Sequence, residues 1–476
     1  MNRSLIDFLP EHAALDPVSF HMPGHKGSKL YKELGYGHIL DNLMDCDITE
    51  IPGADNLFQT EDVILGVMQK YQKLYGSKRS YILINGSSVG LIAAILSSTK
   101  RGDKVIMARN SHKSIFNAMR LGGLEPVYLF PEILEEHGIL GGIAPDEVER
   151  LLQENPEASC VVLPSPNYYG ICSDIKAISE VCHKRNKVLI VDQAHGAHLK
   201  FMDGDHPEAA EDGGADVVIN STHKTLASWT QTAVMNVMTD RVDLNIIEDN
   251  LQILESSSPS YPLMLSLDVN AEILLDKEKK DLAFGEWKKA VDMFYAKAHE
   301  IPGLKVMMDP MLDHTKINID MSAYGLSGNE LENLLMEKGI FVELVTGNII
   351  MCMTGIGTRS EHVLRLLDAL KDIAGSRTMV ASSDTPDHSA ILTMKLERAA
   401  VPESKISLNL DDCEGRVAAG SIIPYPPGIP IACPGEIITR DLIDYVKGLR
   451  QMGEKVIGVS ANGEILSCME HTFWAM

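Results

Sequence analysis

The 476-residue chain has no run of eighteen or more apolar residues, so a membrane-spanning helix is not expected. Its opening residues lead into acidic and polar positions instead of a long hydrophobic stretch, which argues against a secretory leader. No Cys-x-x-Cys pair occurs among the eight scattered cysteines. That disfavours both a disulfide frame and a zinc site, and favours free thiols in a reducing cytoplasm. Positive charge is scarce: 43 basic side chains face 66 acidic ones, a formal net charge of −23. A nucleic-acid partner, which requires a basic surface, is therefore not expected. The same negative field would draw in a cationic small molecule, or serve solubility alone. Internal repeats and low-complexity segments are absent as well.

The length allows two or three domains and a large shared core. Between about residues 60 and 240, short apolar runs alternate with amphipathic stretches. Strands are predicted over 81–84, 104–108, 126–130, 160–163, 187–191, 217–219 and 233–237, and helices over 90–97, 112–121, 145–153 and 175–185. That alternation predicts an α/β fold whose main sheet is largely parallel and covered by helices. Ligands of such sheets sit at the carboxyl ends of the strands. Residues 263–298 read as long helices, 316–319 and 349–353 as further strands, and 375–387 as a polar linker. The expected division is an N-terminal segment at the active-site entrance (1–60), a large α/β domain (61–255), linker helices with a small α/β domain (256–374) and a C-terminal α+β domain (375–476).

Four segments at predicted strand ends carry chemistry. Asn220-Ser221-Thr222-His223-Lys224-Thr225-Leu226 follows the apolar run 215–219 and sets a lysine beside hydroxyls and a histidine. Lysine forms imines with carbonyls, and Ser221, Thr222 and His223 suit a phosphate on the same molecule. An exposed lysine next to a helix cap is the plainer alternative. Asn85-Gly86-Ser87-Ser88-Val89-Gly90 precedes an apolar helix and forms a candidate phosphate cradle of hydroxyls and free amides. His112, in Ser111-His112-Lys113-Ser114, offers a flat ring to stack on an aromatic cofactor, or merely caps a helix. Asp192 ends an apolar strand, where its charge requires a cationic partner such as a protonated pyridine nitrogen, and Ala194 leaves room for a flat ring. A metal set of Asp192, His195 and His198, or a simple cap, competes with that reading. No further carboxylate or cysteine cluster accompanies the three, and no metal is expected.

In their order, these segments resemble the prokaryotic Orn/Lys/Arg decarboxylase family. The likeness extends to Phe20-His21-Met22-Pro23-Gly24-His25-Lys26-Gly27, to 256–261 and to 424–436, and so covers nearly the whole chain. It implies a pyridoxal 5'-phosphate (PLP) enzyme of fold type I, with a mainly parallel seven-stranded sheet in the large domain and smaller α+β domains after it. By that resemblance Lys224 bonds the cofactor aldehyde and Asp192 partners the pyridine nitrogen. His112 and Ala194 lie on the two ring faces, and Ser87, Ser88, Ser221 and His223 hold the phosphate. The 256–258 loop, through Ser258, is expected to reach the neighbouring subunit's phosphate, which implies a homodimer with shared active sites. Two departures stand out. Gln193 occupies a position where many short members carry Glu, and the Pro-Gly-His segment comes too early for the N-terminal wing domain of the large acid-inducible enzymes. Dimers or tetramers are therefore expected instead of decamers.

The reaction so implied is decarboxylation of a cationic amino acid, with Lys224 or His223 returning a proton to the product. A decarboxylase should not grip the substrate carboxylate with arginine, since that stabilises the ground state, and no arginine near the four segments is an evident clamp. Glu436, and less directly Asp55, are the candidate acids for the side chain. Arginine, giving agmatine, is the expected substrate, with lysine and ornithine next. An aminotransferase or aldolase of the same fold, or a non-catalytic homologue, would share the same lysine and aspartate.

Overall fold

Strands buried on both faces by helices read as continuous apolar runs, and the central segments do so. The computed structural model describes residues 4–204, 206–380, 394–399, 405–425, 428–451 and 455–468. After the helix Leu5–Ala14, the first strand is the short β1 (Val18–Phe20), followed by β2 (Arg79–Leu83), β3 (Lys104–Ala108), β4 (Glu125–Leu129) and a small hairpin of β5 (Ile133–Leu134) and β6 (Ile139–Leu140). β7 (Cys160–Pro164), β8 (Val188–Asp192), β9 (Val217–Asn220) and β10 (Ala233–Val237) come next. Among the described residues a seven-stranded sheet runs in the order β2-β10-β9-β8-β7-β3-β4. β10 is antiparallel to both its neighbours, and β9 through β4 are parallel.

Alternate residues of these strands feed opposite cores, as the two-residue period of a strand requires. Val105, Met107, Val162, Ile190 and Ile219 pack under the helices Ser87–Ser97, Lys113–Gly122 and Leu244–Leu254. Ile106, Ala108, Val161, Leu163, Leu189, Val191 and Val218 pack against Pro145–Glu154 and Ile175–Lys184. Local chemistry sets the helix ends. Asp174 accepts from Ala177 N at 3.0 Å at the start of Ile175–Lys184. The predicted helical stretch 263–298 is two helices, Tyr261–Leu275 and Lys277–Ala298. Asp276 divides them because its carboxylate accepts from the amides of Glu278 and Lys279, capping a new helix.

A second sheet follows, with β11 (Lys305–Val306), β12 (Lys316–Asp320), β14 (Leu344–Thr346) and β15 (Ile349–Met353) in the order β11-β12-β15-β14. β13 (Ile340–Val342) pairs instead with β1, bringing the N-terminal segment onto this later part of the chain. Beyond it lie two strand pairs, β16 (Lys405–Asn409) with β19 (Glu464–Cys468) and β17 (Ile423–Tyr425) with β18 (Lys455–Ile457), packed with helix Arg440–Gln451. Residues 381–387 of the predicted linker, and Pro426 and Pro427, lie outside the described residues. Arg109 fastens this C-terminal region to the large sheet by donating to the carbonyls of Pro430 and Ile431.

Candidate active site

Lys224 belongs to a single helical turn, Thr222–Thr225, that starts where β9 ends. Segment 20–27 crosses directly behind it. Gly24 N donates to His223 O at 2.7 Å, and a Cβ on Gly24 would lie 2.5 Å from the Thr225 carbonyl carbon. Only glycine permits that approach. The Lys224 amine faces a cavity whose walls include Ser87, His112, Asp192, Ala194 and His195. Four expected cofactor positions are thus brought to Lys224 from three strand ends. Pro164, Pro166, Asn167 and Tyr168, after β7, complete the wall. No arginine lines it among the described residues.

Electrostatics distinguish the members. Burial lowers the Lys224 pKa, against the attraction of Asp192 and Glu343. A lowered value leaves more of the neutral amine, the form that attacks a carbonyl. Burial raises the Asp192 carboxyl, while Lys224 and the Ala194 amide, 3.1 Å from Oδ1, draw it back. His112 is pushed down to about 3, first by burial and then by Lys224, so its ring is neutral. Its Nδ1 meets Ser114 Oγ at 2.8 Å, which fixes the ring at the start of its helix.

Buried polar atoms are normally hydrogen-bonded. Around this cavity Asn85 Oδ1, Ser111 Oγ, His195 Nδ1 and Ser221 Oγ have no such partner among the described residues. The helix Ser87–Ser97 opens beside them from Gly86, whose φ of 82° turns the chain into the helix without a side-chain cap. Unpartnered hydroxyls and a free helix N-terminus suit a phosphate, and the buried Asp192 suits a pyridinium. The residues present therefore fit PLP.

Other expected residues do not line this cavity. His223 donates from Nδ1 to Thr232 O at 2.7 Å, and its pKa is depressed to about 4, chiefly by burial. With that proton committed and the ring neutral, His223 is poorly set to be the proton donor. His195 is the histidine at the amine, with Nε2 2.9 Å from Lys224 Nζ. Its place three residues after Asp192 was a usable signal, whereas nothing in sequence singled out Tyr168, whose ring packs edge-on to His195 at 5.0 Å. His198 turns away to Asp313 at 3.1 Å, so Asp192, His195 and His198 do not converge.

Glu436 is fully buried outside this cavity. One oxygen accepts from Tyr128 Oη at 2.5 Å and the other from Cys433 N at 2.8 Å, with Arg109 at 3.6 Å and Arg398 at 3.7 Å. The expectation of a substrate acid fails here because the carboxylate is already satisfied. Asp55 fails similarly: its two oxygens accept from the amides of Asn56, Glu61, Asp62, Ile64 and Leu65, organising the start of helix Val63–Tyr75. Ser88 sits in the first turn of its helix outside the cavity lining, and Ser258 is exposed, its amide donating to Ser256 Oγ at 3.3 Å.

The fold is that of the PLP-dependent fold type I enzymes. A solved lysine decarboxylase from Pseudomonas aeruginosa superposes with a TM-score of 0.77 over 97% of this chain and 80% of its own, at 20% identity. A serine palmitoyltransferase from Sphingomonas wittichii superposes at 0.58 over 76% of this chain and 88% of its own, at 14% identity. The chain belongs to the Orn/Lys/Arg decarboxylase family, matching its major domain over 4–317 and its C-terminal domain over 381–464. It is 32% identical to an arginine decarboxylase of Bacillus subtilis, covering 92% of this chain and 91% of that protein. A lysine decarboxylase of Pseudomonas aeruginosa is 23% identical over 93% of this chain and 75% of its own length.

Proposed function

We propose that this protein converts L-arginine to agmatine and carbon dioxide with PLP held at Lys224. The observation that carries the reaction is one cavity that joins Lys224, Asp192, His112 and Ala194 with no arginine lining it among the described residues. The preference for arginine is supported by end-to-end similarity to a Bacillus arginine decarboxylase, where the lysine decarboxylase relative is more distant and longer.

Bound there, the cofactor supplies an electron-withdrawing ring that accepts the charge left by departing carbon dioxide. Asp192 would face the ring nitrogen and favour its protonated form, and Lys224 would be the amine that holds the cofactor aldehyde. Ser87 and Ser88 at the start of their helix, with Ser221 and His223 from the Lys224 turn, would hold the phosphate. His112 and Ala194 confine the ring. His195, in contact with Lys224 Nζ, orients that amine and shares its proton. The arginine-free wall leaves the substrate carboxylate without a strong ion pair, so its loss is not opposed by ground-state binding. The protein works in the cytoplasm as a homodimer, and Ser258 completes the phosphate site of the neighbouring subunit.

The test is carbon dioxide release from purified protein and PLP, with arginine, lysine and ornithine offered separately and each amine identified by mass. Arginine-dependent release with agmatine as product is expected. Dominant cadaverine or putrescine would reassign the substrate, and a keto acid without carbon dioxide would reassign the reaction.

A further inference from the structure

We propose that Glu343 is the carboxylate that receives the charged end of the substrate side chain, an assignment that rests on the basic-amino-acid reading above. Glu343 links β13 to β14, and its amide donates to Met351 O at 3.0 Å. Its Oε2 accepts from Met22 N at 2.8 Å. Met22 stands two residues before Gly24, which backs onto the Lys224 turn. Met22 and Leu344 also pack in one apolar cluster with Tyr168, a wall of the Lys224 cavity. Glu343 is thereby held near the cavity from the second sheet, close enough to Lys224 for the two charges to attract.

Its charge lacks a counter-ion of its own. Burial pushes the Glu343 carboxyl up, while Lys224, Lys26 and Lys316 draw it back. Yet Glu343 makes no ion pair within 4 Å among the described residues, and no donor to Oε1 is found among them. Two of the three lysines are committed elsewhere. Lys316 binds Asp313 at 2.6 Å and the His195 carbonyl, and Lys26 donates to the carbonyls of His21 and Met353. Lys224 is reserved for the cofactor and lies against His195. Asp55 and Glu436 have both oxygens occupied, whereas Glu343 has one oxygen anchored on a backbone amide and the other available. A guanidinium or ammonium arriving there supplies the missing charge through a charge-assisted hydrogen bond.

Calorimetry on the PLP-loaded protein decides the point, using agmatine and its neutral urea analogue N-carbamoylputrescine. Wild type should bind agmatine more tightly. Glu343→Gln should weaken agmatine by about 100-fold and leave the urea analogue unchanged, with cofactor absorbance and melting temperature retained. Glu343→Asp should restore part of the preference for the cation. Equal weakening of both ligands would show that Glu343 only holds Met22, and an unchanged agmatine affinity, or no preference in wild type, would also overturn the assignment. Because binding is read without turnover, the result stands apart from whether arginine releases carbon dioxide.

Discussion

Lys316 has no solvent exposure, and Asp313, the His195 carbonyl and Thr315 Oγ1 surround its ammonium. Burial pushes the Asp313 carboxyl up, but Lys316 and then His198 hold it well below the usual range. Its contribution to stability is therefore present above the ordinary carboxylate range and lost in strong acid. Removing one member of a buried pair strands the other, so Asp313→Ala should cost about 3–5 kcal/mol in chemical unfolding. Lys316 also touches His195, which touches Lys224, so that variant should lower turnover too. Lys224→Ala should abolish turnover and the near-visible absorbance of lysine-bound PLP, and normal activity would remove Lys224 from its role. Lys224 and Asp192 were legible because lysine and aspartate at strand ends have few competing uses. Glu436 and Asp55 misled because an acid in a loop reads the same whether its partners are ligands, amides or distant arginines.

At the scale of elements, the strand ends place the chemistry, and the loop after helix Leu244–Leu254 holds a buried acid, Glu255, near them. Glu255 caps that helix at its C-terminus, where the dipole disfavours a negative charge. Neither of its oxygens has a well-formed hydrogen bond among the described residues, and burial, opposed by the Ile84 and Asn85 amides, raises its pKa from 4.5 to about 7. Between those two values the native state binds more protons than the unfolded one. Stability should therefore fall as pH rises through that window, by up to about 3 kcal/mol. Glu255→Gln should flatten the trend when unfolding midpoints are compared at pH 5 and pH 8; an unchanged slope would exclude Glu255 as its source. The strands over 104–108, 233–237 and 349–353 were read with their observed bounds, because apolar β-formers flanked by turn residues leave little latitude. More than one helix was expected over 263–298, but the boundary was not placed at Asp276, because its capping role depends on the backbone conformation at that one residue.

Across the whole molecule, the helix Leu5–Ala14 buries none of its residues, with Leu5 72% and Ile6 85% exposed. An apolar helix left open to water favours association. Sedimentation should accordingly give a mass twice that of one chain, and Ile6→Glu with Leu9→Glu should weaken the assembly; a monomer at micromolar concentration would refute the shared-site reading. No described helix is long and apolar enough to cross a membrane. The sequence by itself determined the α/β alternation and the strand ends from which Lys224, Asp192, His112 and Ser87 reach one cavity, because local periodicity and residue chemistry act over a few positions. Only the tertiary structure decided that Glu343, 119 positions beyond Lys224, shares its surroundings, that His195 rather than His223 meets its amine, and that Glu436 is spent on Arg109 and Tyr128. Burial and pairing across such separations are set by how the sheets pack, and no local pattern records them.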